Sequence, residues 1–125
     1  MSLNEAQFKR PSTELIDKLS SFSSATLFEA QGQQGALPSA IKPLDVAMKV
    51  CGPAFTISSP SRDNLMLHQA LTMVQPGDVL VVEVSDWYEA GYWGDILTQA
   101  ALEKGVAGLV IDGCVRDRND IVALG

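Results

Sequence analysis

Two short apolar runs with a helical segment between them constrain the fold of this chain more than any other feature. Residues 79–84 and 108–112 are rich in β-branched side chains, and both are predicted to be buried strands. The segment 95–104 between them has helical spacing and stops before Gly105, a residue that commonly ends helices. This strand–helix–strand order predicts an α/β fold with a mixed, largely parallel sheet.

Shorter elements are predicted around this unit, and the polar residues 1–10 are expected to be frayed. An open sheet that ends soon after residues 108–112 would leave an exposed edge, which suggests a fragment or a chain that needs a partner subunit. The remaining predicted elements are a helix from Pro11–Thr13 with Leu15, Ile16 and Leu19 on its apolar face, a helix over 25–31 capped by Ser23 or Ser24, a bulged strand or two strands over 47–58, a helix from Asp63 or Asn64 through Met73, an aromatic loop over 85–93, and a last helix from Asn119 or Asp120.

Length and charge exclude several functional classes. A chain of 125 residues predicts one domain over residues 1–125. Its formal net charge of −6 is the wrong sign for binding a phosphate backbone, so no nucleic-acid partner is expected. No apolar run approaches the roughly 20 residues that a membrane helix needs, and residues 1–5 lack the pattern of a secretory signal. We therefore expect a cytoplasmic protein with no membrane partner.

The start of the predicted helix 95–104 is a candidate anion site. Gly94, Asp95, Ile96 and Leu97 follow an aromatic loop, and the backbone N–H groups of a helix start can hold a carboxylate that glycine allows to come close. The structural alternative is a glycine required by a turn, with Asp95 merely complementing the helix dipole.

The string Asp112-Gly113-Cys114-Val115-Arg116-Asp117 contains the second candidate feature. Arg116 and Asp117 fall just after a predicted strand, at the edge where α/β sheets bind ligands. A guanidinium matches a carboxylate, and an aspartate is a hard oxygen ligand for a divalent cation. An ordinary surface ion pair is the alternative.

Other reactive residues fit structural roles better. His68 follows an apolar helical pattern and is expected in the core or as a cap, and with one histidine the usual zinc sites are disfavoured. Cys51 and Cys114 are expected to be free, buried thiols, with no base near Cys114 to make it a nucleophile. Lys104 suits a helix C-terminus. The glycine-rich motifs of dinucleotide and nucleoside-triphosphate sites and the GxSxG motif of serine hydrolases are absent.

The motif GDIL at 94–97, followed by ALEKGVAGLVIDGCVRD at 101–117, closely resembles the 4-hydroxy-4-methyl-2-oxoglutarate aldolase family, also called the regulator of ribonuclease E activity A-like family. The most specific part is the step of 22 residues from Gly94 to Arg116 together with the VIDG-x-VRD string. The similarity extends over nearly the whole chain, with further landmarks at 25–30, 35–37, 63–65 and 76–82.

This resemblance implies a layered α/β sandwich of the swivelling, phosphohistidine-domain-like type, assembled as a homotrimer or a dimer of trimers. It implies a class II pyruvate aldolase with oxaloacetate decarboxylase side activity. The backbone of Gly94, Asp95, Ile96 and Leu97 would bind the carboxylate of a 2-oxo acid, and Arg116 would contact the substrate. Asp117 would ligate Mg²⁺ or Mn²⁺, and Asp95 would hold metal-bound water.

Family members continue for many tens of residues past residue 125, so this chain is expected to be the N-terminal part of a longer family domain, truncated at the C-terminus. The main alternative function is a non-catalytic regulator like the branch that inhibits ribonuclease E, which lacks the aspartate that follows the arginine. A third, menaquinone methyltransferase, finds no supporting nucleotide motif here.

Overall fold

The computed structural model describes residues 8–125, which form an α/β fold as predicted. The helices are α1 (Thr13–Ser20), α2 (Ser24–Ala30), α3 (Leu65–Ala70), α4 (Asp95–Glu103) and α5 (Arg118–Leu124). The strands are β1 (Ala54–Ser58), β2 (Val79–Glu83), β3 (Gly91–Trp93), β4 (Gly108–Asp112) and β5 (Cys114–Val115).

The strands form two sheets, and every pair in them is parallel. The larger sheet has three strands in the order β1-β2-β4, and β3 pairs with β5 in a second sheet. The central strand β2 is largely buried, as its unbroken apolar sequence predicts. The prediction that 108–112 is a buried strand is wrong in degree, because β4 lies at the sheet edge and is half-buried.

Several element boundaries differ from the prediction for identifiable reasons. Residues 47–53 are not a strand: Pro53 has no N–H to donate, and its carbonyl accepts from Val79 N at 2.8 Å where the ladder begins. Helix α3 ends at Ala70 rather than Met73, and residues 71–73 continue as turns. The loop predicted over 85–93 contains the short strand β3, and the two residues of β5 were not predicted as a strand.

The core lies on one face of the three-stranded sheet. Its fully buried members include Leu80 in β2, Leu67 in α3 and Tyr92 in β3. Helix α1 begins after Ser12, within the predicted Pro11–Thr13 start, and α2 begins after Ser23, one of the two predicted caps. Neither helix contains a buried residue, and Leu15 on the predicted apolar face is 47% exposed. None of the helices within residues 8–125 has the length and apolarity that crossing a membrane requires.

A buried ion pair attaches the beginning of the described chain to the sheet. Arg10 donates from Nε and Nη2 to the two carboxylate oxygens of Asp78, each at 2.7 Å, and the Asp78 side chain is fully buried. Phe8 packs edge-on against Phe55 with 6.0 Å between ring centroids. The predicted fraying of residues 1–10 is therefore wrong for residues 8–10, and its remainder lies outside the described residues.

Because of the Arg10–Asp78 pair, the free energy of unfolding should fall at acidic pH. Burial by itself raises the pKa of Asp78, but the hydrogen bonds from Arg10 and the Gln75 N–H outweigh it and lower the pKa below its usual value. The pair's contribution is therefore complete above the unfolded-chain pKa of about 3.9 and is lost as pH falls through the lower folded-state pKa. Urea titrations between pH 7 and pH 2 should show this loss in the wild-type protein and not in Asp78→Asn.

Removing only the arginine should lower the free energy of unfolding by more than the ion pair's net contribution, because the Asp78 carboxylate is then left buried without a partner. Arg10→Met is expected to lower the free energy of unfolding at pH 7 by about 3 kcal/mol. Glu14→Gln breaks the exposed Glu14–Lys18 pair and should cost less than about 0.5 kcal/mol. Equal losses in the two variants would show that the Arg10–Asp78 pair does not hold the fold together.

Candidate functional site

The parallel pairing of β3 with β5 brings the two predicted functional segments together. The Arg116 N–H donates to the Trp93 carbonyl at 2.8 Å, immediately before Gly94 starts helix α4. Residues 22 positions apart in sequence thereby become neighbours, since the start of α4 and the end of β5 lie side by side. Gly94, Ile96, Leu97 and Arg116, four of the six predicted site residues, line one cavity.

Two glycines make this close approach possible. A Cβ added at Gly94 would lie 2.6 Å from Asp117 Oδ2 and 3.2 Å from Arg116 Nε. One added at Gly91 would lie 3.2 Å from Arg116 Cβ. Gly94 has an extended backbone at φ −151°, so it is required for space and not for its conformational freedom.

Asp117 adopts an unusual backbone conformation that returns its carboxylate to the start of α4. Its φ of 60° and ψ of 38° are left-handed, a region that aspartate and asparagine tolerate better than most residues. Its Oδ2 lies 3.4 Å from Asp95 N and 3.6 Å from Arg116 Nε, and its side chain is 34% exposed. Such strain is typical of functional sites.

The start of α4 is held from inside by a short chain of hydrogen bonds. The buried Trp93 donates from Nε1 to Thr98 Oγ1 at 2.8 Å, and that hydroxyl donates to the Gly94 carbonyl at 2.8 Å. At the outer side, Asp95 Oδ1 accepts from Ile96 N at 2.8 Å. The first turn of this helix is therefore fixed in position, and its N–H groups already have anionic neighbours.

The cavity is small, and Arg116 is the one charged residue among those that line it. It measures about 80 Å³, and because one water occupies roughly 30 Å³ of liquid it suits a ligand of a few non-hydrogen atoms. Asp95 and Asp117 flank the cavity. The lining residues are Asn64, His68, Gly91, Tyr92, Trp93, Gly94, Ile96, Leu97 and Arg116.

His68 and Asn64 are cavity residues that the sequence analysis missed. His68 is exposed and lines the cavity, so the core alternative of its prediction is wrong, whereas its position in the last turn of α3 agrees with the capping alternative. The signal was available: the buried residues Leu67, Ala70 and Leu71 have helical spacing, and His68 falls off that face. Asn64 donates from Nδ2 to the Tyr92 carbonyl at 3.1 Å and thereby fixes the start of α3 beside β3.

The other reactive residues contribute nothing to this cavity. Cys51 and Cys114 are free, as expected, but the prediction that they are buried is wrong. Cys51 lies in the irregular segment before β1 and Cys114 on the two-stranded sheet, and neither position is covered by packing. Lys104 is the C-cap residue of α4, at the opposite end from Gly94.

The oxygen donors beside the cavity fit a magnesium-type ion better than zinc. Within residues 8–125, no three histidine, cysteine or acidic side chains come together as a ligand set. Mg²⁺ keeps most of its waters and needs only one or two carboxylates, which Asp117 and its neighbour Asp95 offer. The donor set therefore suits a hydrated hard cation.

A larger, open groove of about 540 Å³ lies on the other face of the three-stranded sheet. Its floor includes Val81 and Val110, and its charged residues are Glu83 and Asp112. Hydrogen bonds from the Ser58 hydroxyl and the Ser85 N–H lower the pKa of Glu83. This groove has two acidic lining residues and no basic one, whereas Arg116 lines the cavity at Gly94, so that cavity is the better candidate for a carboxylate ligand.

A methyl group at Gly94 should damage the site without unfolding the protein. Gly94→Ala is expected to displace the Asp117 carboxylate while the free energy of unfolding changes by less than about 1 kcal/mol, since the clash involves side-chain atoms. Amide NMR shifts at Asp95 and Asp117, measured beside urea unfolding, would test this. Gly91→Ala, with looser contacts near 3.2 Å, should shift both signals less. Unmoved signals in Gly94→Ala would contradict the steric account.

Known proteins resemble the chain in sequence and in structure. A protein of Halalkalibacterium halodurans named putative 4-hydroxy-4-methyl-2-oxoglutarate aldolase is 40% identical over 81 residues, covering 65% of this chain and 39% of its own length. The crystal structure of Streptomyces coelicolor RraAS2, described as an unusual member of the RNase ES inhibitor RraA family, superposes with a TM-score of 0.80 at 39% identity, covering 95% of this chain and 62% of that one.

A structure from Geobacillus kaustophilus described as an S-adenosylmethionine:2-dimethylmenaquinone methyltransferase is 42% identical with a TM-score of 0.54, covering 58% of this chain and 44% of that one. The chain thus spans about two fifths to three fifths of the length of these relatives. The model of the RraA-like family, described as Aldolase/RraA, matches residues 12–125. Because this model matches most of the chain, the chain belongs to the RraA-like family.

Proposed function

We propose that this protein is a divalent-metal-dependent lyase that cleaves 4-hydroxy-4-methyl-2-oxoglutarate or a related 4-hydroxy-2-oxo acid to pyruvate. Decarboxylation of oxaloacetate would be a side activity, because loss of CO₂ from oxaloacetate leaves the same pyruvate enolate as cleavage of a 4-hydroxy-2-oxo acid. The observation that carries the proposal is the meeting of Arg116, the Asp117 carboxylate and the start of α4 at one small cavity. A homotrimer or a dimer of trimers remains the proposed assembly.

Recognition of the 2-oxo acid rests on two kinds of positive group. The N–H groups at the start of α4 carry the positive end of the helix dipole, and the Arg116 guanidinium beside them has five N–H donors. A carboxylate and its adjacent 2-oxo oxygen could be bound together by these groups. The buried Trp93–Thr98–Gly94 hydrogen bonds keep the donors in place before a ligand arrives.

Asp117 would hold Mg²⁺ or Mn²⁺, and Asp95 would orient water on it. A bound cation of this kind acts as a Lewis acid that stabilises negative charge on the 2-oxo oxygen. Arg116 adds a positive charge at the same end of the cavity. Its side chain is 69% exposed, so the guanidinium is free to follow the ligand.

His68 is the candidate for moving the proton of the 4-hydroxyl group. Among the residues that line the cavity, it carries the side chain that most often serves as a general acid or base in enzymes. Asn64, one helical turn earlier, fixes the beginning of α3 and with it the position of His68.

The alternative is a non-catalytic protein that binds a partner, as the description of the Streptomyces relative as a member of a ribonuclease inhibitor family suggests. Asp117 favours the enzyme, because binding a partner does not explain a strained acidic residue beside an anion site. Methyl transfer is supported only by the name of the Geobacillus relative. A lack of S-adenosylmethionine binding in a calorimetric titration would remove that alternative.

The proposed activity predicts pyruvate release that depends on metal. Purified protein with Mg²⁺ should release pyruvate from 4-hydroxy-4-methyl-2-oxoglutarate, and excess EDTA should abolish the release. Coupling to lactate dehydrogenase measures it directly. If none of a series of 4-hydroxy-2-oxo acids gives pyruvate with Mg²⁺ or Mn²⁺, the binding-protein alternative is preferred.

Substitutions at Asp117 and Arg116 should reduce activity, whereas the same kind of exchange at a nearby arginine should not. Asp117→Ala is expected to abolish Mg²⁺-dependent turnover, and Arg116→Lys to reduce kcat/KM by about a hundredfold, because an ammonium cannot reproduce the guanidinium fork. Arg118→Lys makes the same exchange at a residue whose side chain contacts the Leu44 carbonyl instead, and it should retain activity. Full activity in Asp117→Ala or Arg116→Lys would exclude the proposed roles.

Replacing His68 should affect turnover more than substrate binding. His68→Gln is expected to lower kcat by about a hundredfold, the usual contribution of one general acid–base group. The KM should change little, since glutamine keeps a polar side chain at the cavity. An unchanged kcat in this variant would exclude proton transfer by His68.

A further inference from the structure

We infer that the protein's own carboxylates occupy the anion site in the absence of ligand, so that a substrate carboxylate binds well only after Asp117 has turned towards a cation. This inference rests on the proposed function, because it concerns the same cavity. It assigns Asp117 a second role as an internal competitor of the substrate.

The contacts of the two aspartates support this role. Asp117 Oδ2 lies 3.4 Å from the Asp95 N–H nitrogen and 3.6 Å from Arg116 Nε, and Asp95 Oδ1 accepts from Ile96 N at 2.8 Å. These N–H groups and this guanidinium are the donors that a 2-oxo acid would need. A second carboxylate at the same position would therefore meet both occupied donors and like-charge repulsion.

The Asp117 contacts are loose enough to exchange. Hydrogen bonds between charged groups are usually 2.7–2.9 Å long, and both Asp117 distances exceed that range. The carboxylate is partly exposed, so it can turn towards solvent. The left-handed backbone at Asp117 leads directly into α5, so side-chain rotation alone would free the start of α4.

This arrangement couples the two ligands. When Asp117 turns towards a cation, the Asp95 N–H and the Arg116 guanidinium lose their internal anion and become available to the substrate. By linkage, the substrate must raise cation affinity by the same factor. Chelation of the cation by a 2-oxo acid produces a similar dependence, so the test needs a ligand that cannot chelate in this way.

The variant Asp117→Asn isolates the internal competition. Asparagine tolerates the left-handed backbone and removes the charge, so the fold should be kept. Calorimetric titration in EDTA, with tryptophan fluorescence as a second readout, should show that Asp117→Asn binds propionate and pyruvate about tenfold more tightly than the wild-type protein, in line with a charge interaction at a partly buried helix start. Titration with MgCl₂ alone should show weaker binding to the variant.

Asp120→Asn is the matched control, since it removes the same charge in the first turn of α5. Its propionate affinity should stay within about twofold of the wild-type value, the size expected for an exposed charge screened by salt. If Asp117→Asn binds propionate no better than the wild-type protein in EDTA, or if Asp120→Asn gains as much, the inference is wrong. Pyruvate release with Mg²⁺ tests the proposed function separately, and either result can fail without the other.

Discussion

The hydrogen bond from the Arg116 N–H to the Trp93 carbonyl, which continues the β3–β5 pairing, is the contact on which the candidate site depends. Without it, the start of α4 and the Arg116–Asp117 pair would belong to separate parts of the surface. The two strands have only three and two residues, so they contribute little to stability on their own. Their position is secured by Tyr92 and Trp93, whose side chains are buried in the core.

The sequence predicted the parts of the fold that have strong local signals. The apolar run of β2, the helix α4 before Gly105, the start of α1 at Pro11–Thr13 and the serine cap of α2 were recognised because each is determined by nearby residues. The short strands β3 and β5 were missed, since strands of this length exist only through their partner. The half-exposed state of β4 was missed for a similar reason: strand order is a property of the whole sheet.

The site residues could be predicted where side-chain chemistry and family resemblance point to the same positions. Residues whose location depends on packing were harder to predict. Gly94, Arg116 and Asp117 could be named from sequence, although their roles remain predictions. His68 was expected in the core or as a cap because its helix is short and apolar, although the helical spacing of its buried residues places His68 off the buried face. The hydrogen bond from Asn64 to the Tyr92 carbonyl fixes the start of that helix beside β3. Residues 8–10 were expected to be loose because a partner for Arg10 at position 78 cannot be read from local sequence.

The left-handed backbone at Asp117 also limits which residue types can replace it in a protein with this fold. Few residue types accept that backbone, and asparagine is one of them. Replacement of Asp117 by asparagine would therefore remove its carboxylate while leaving the surrounding helices intact. A descendant that had lost this carboxylate could keep the whole surface of its ancestor, and selection could then retain it for contacts with other molecules.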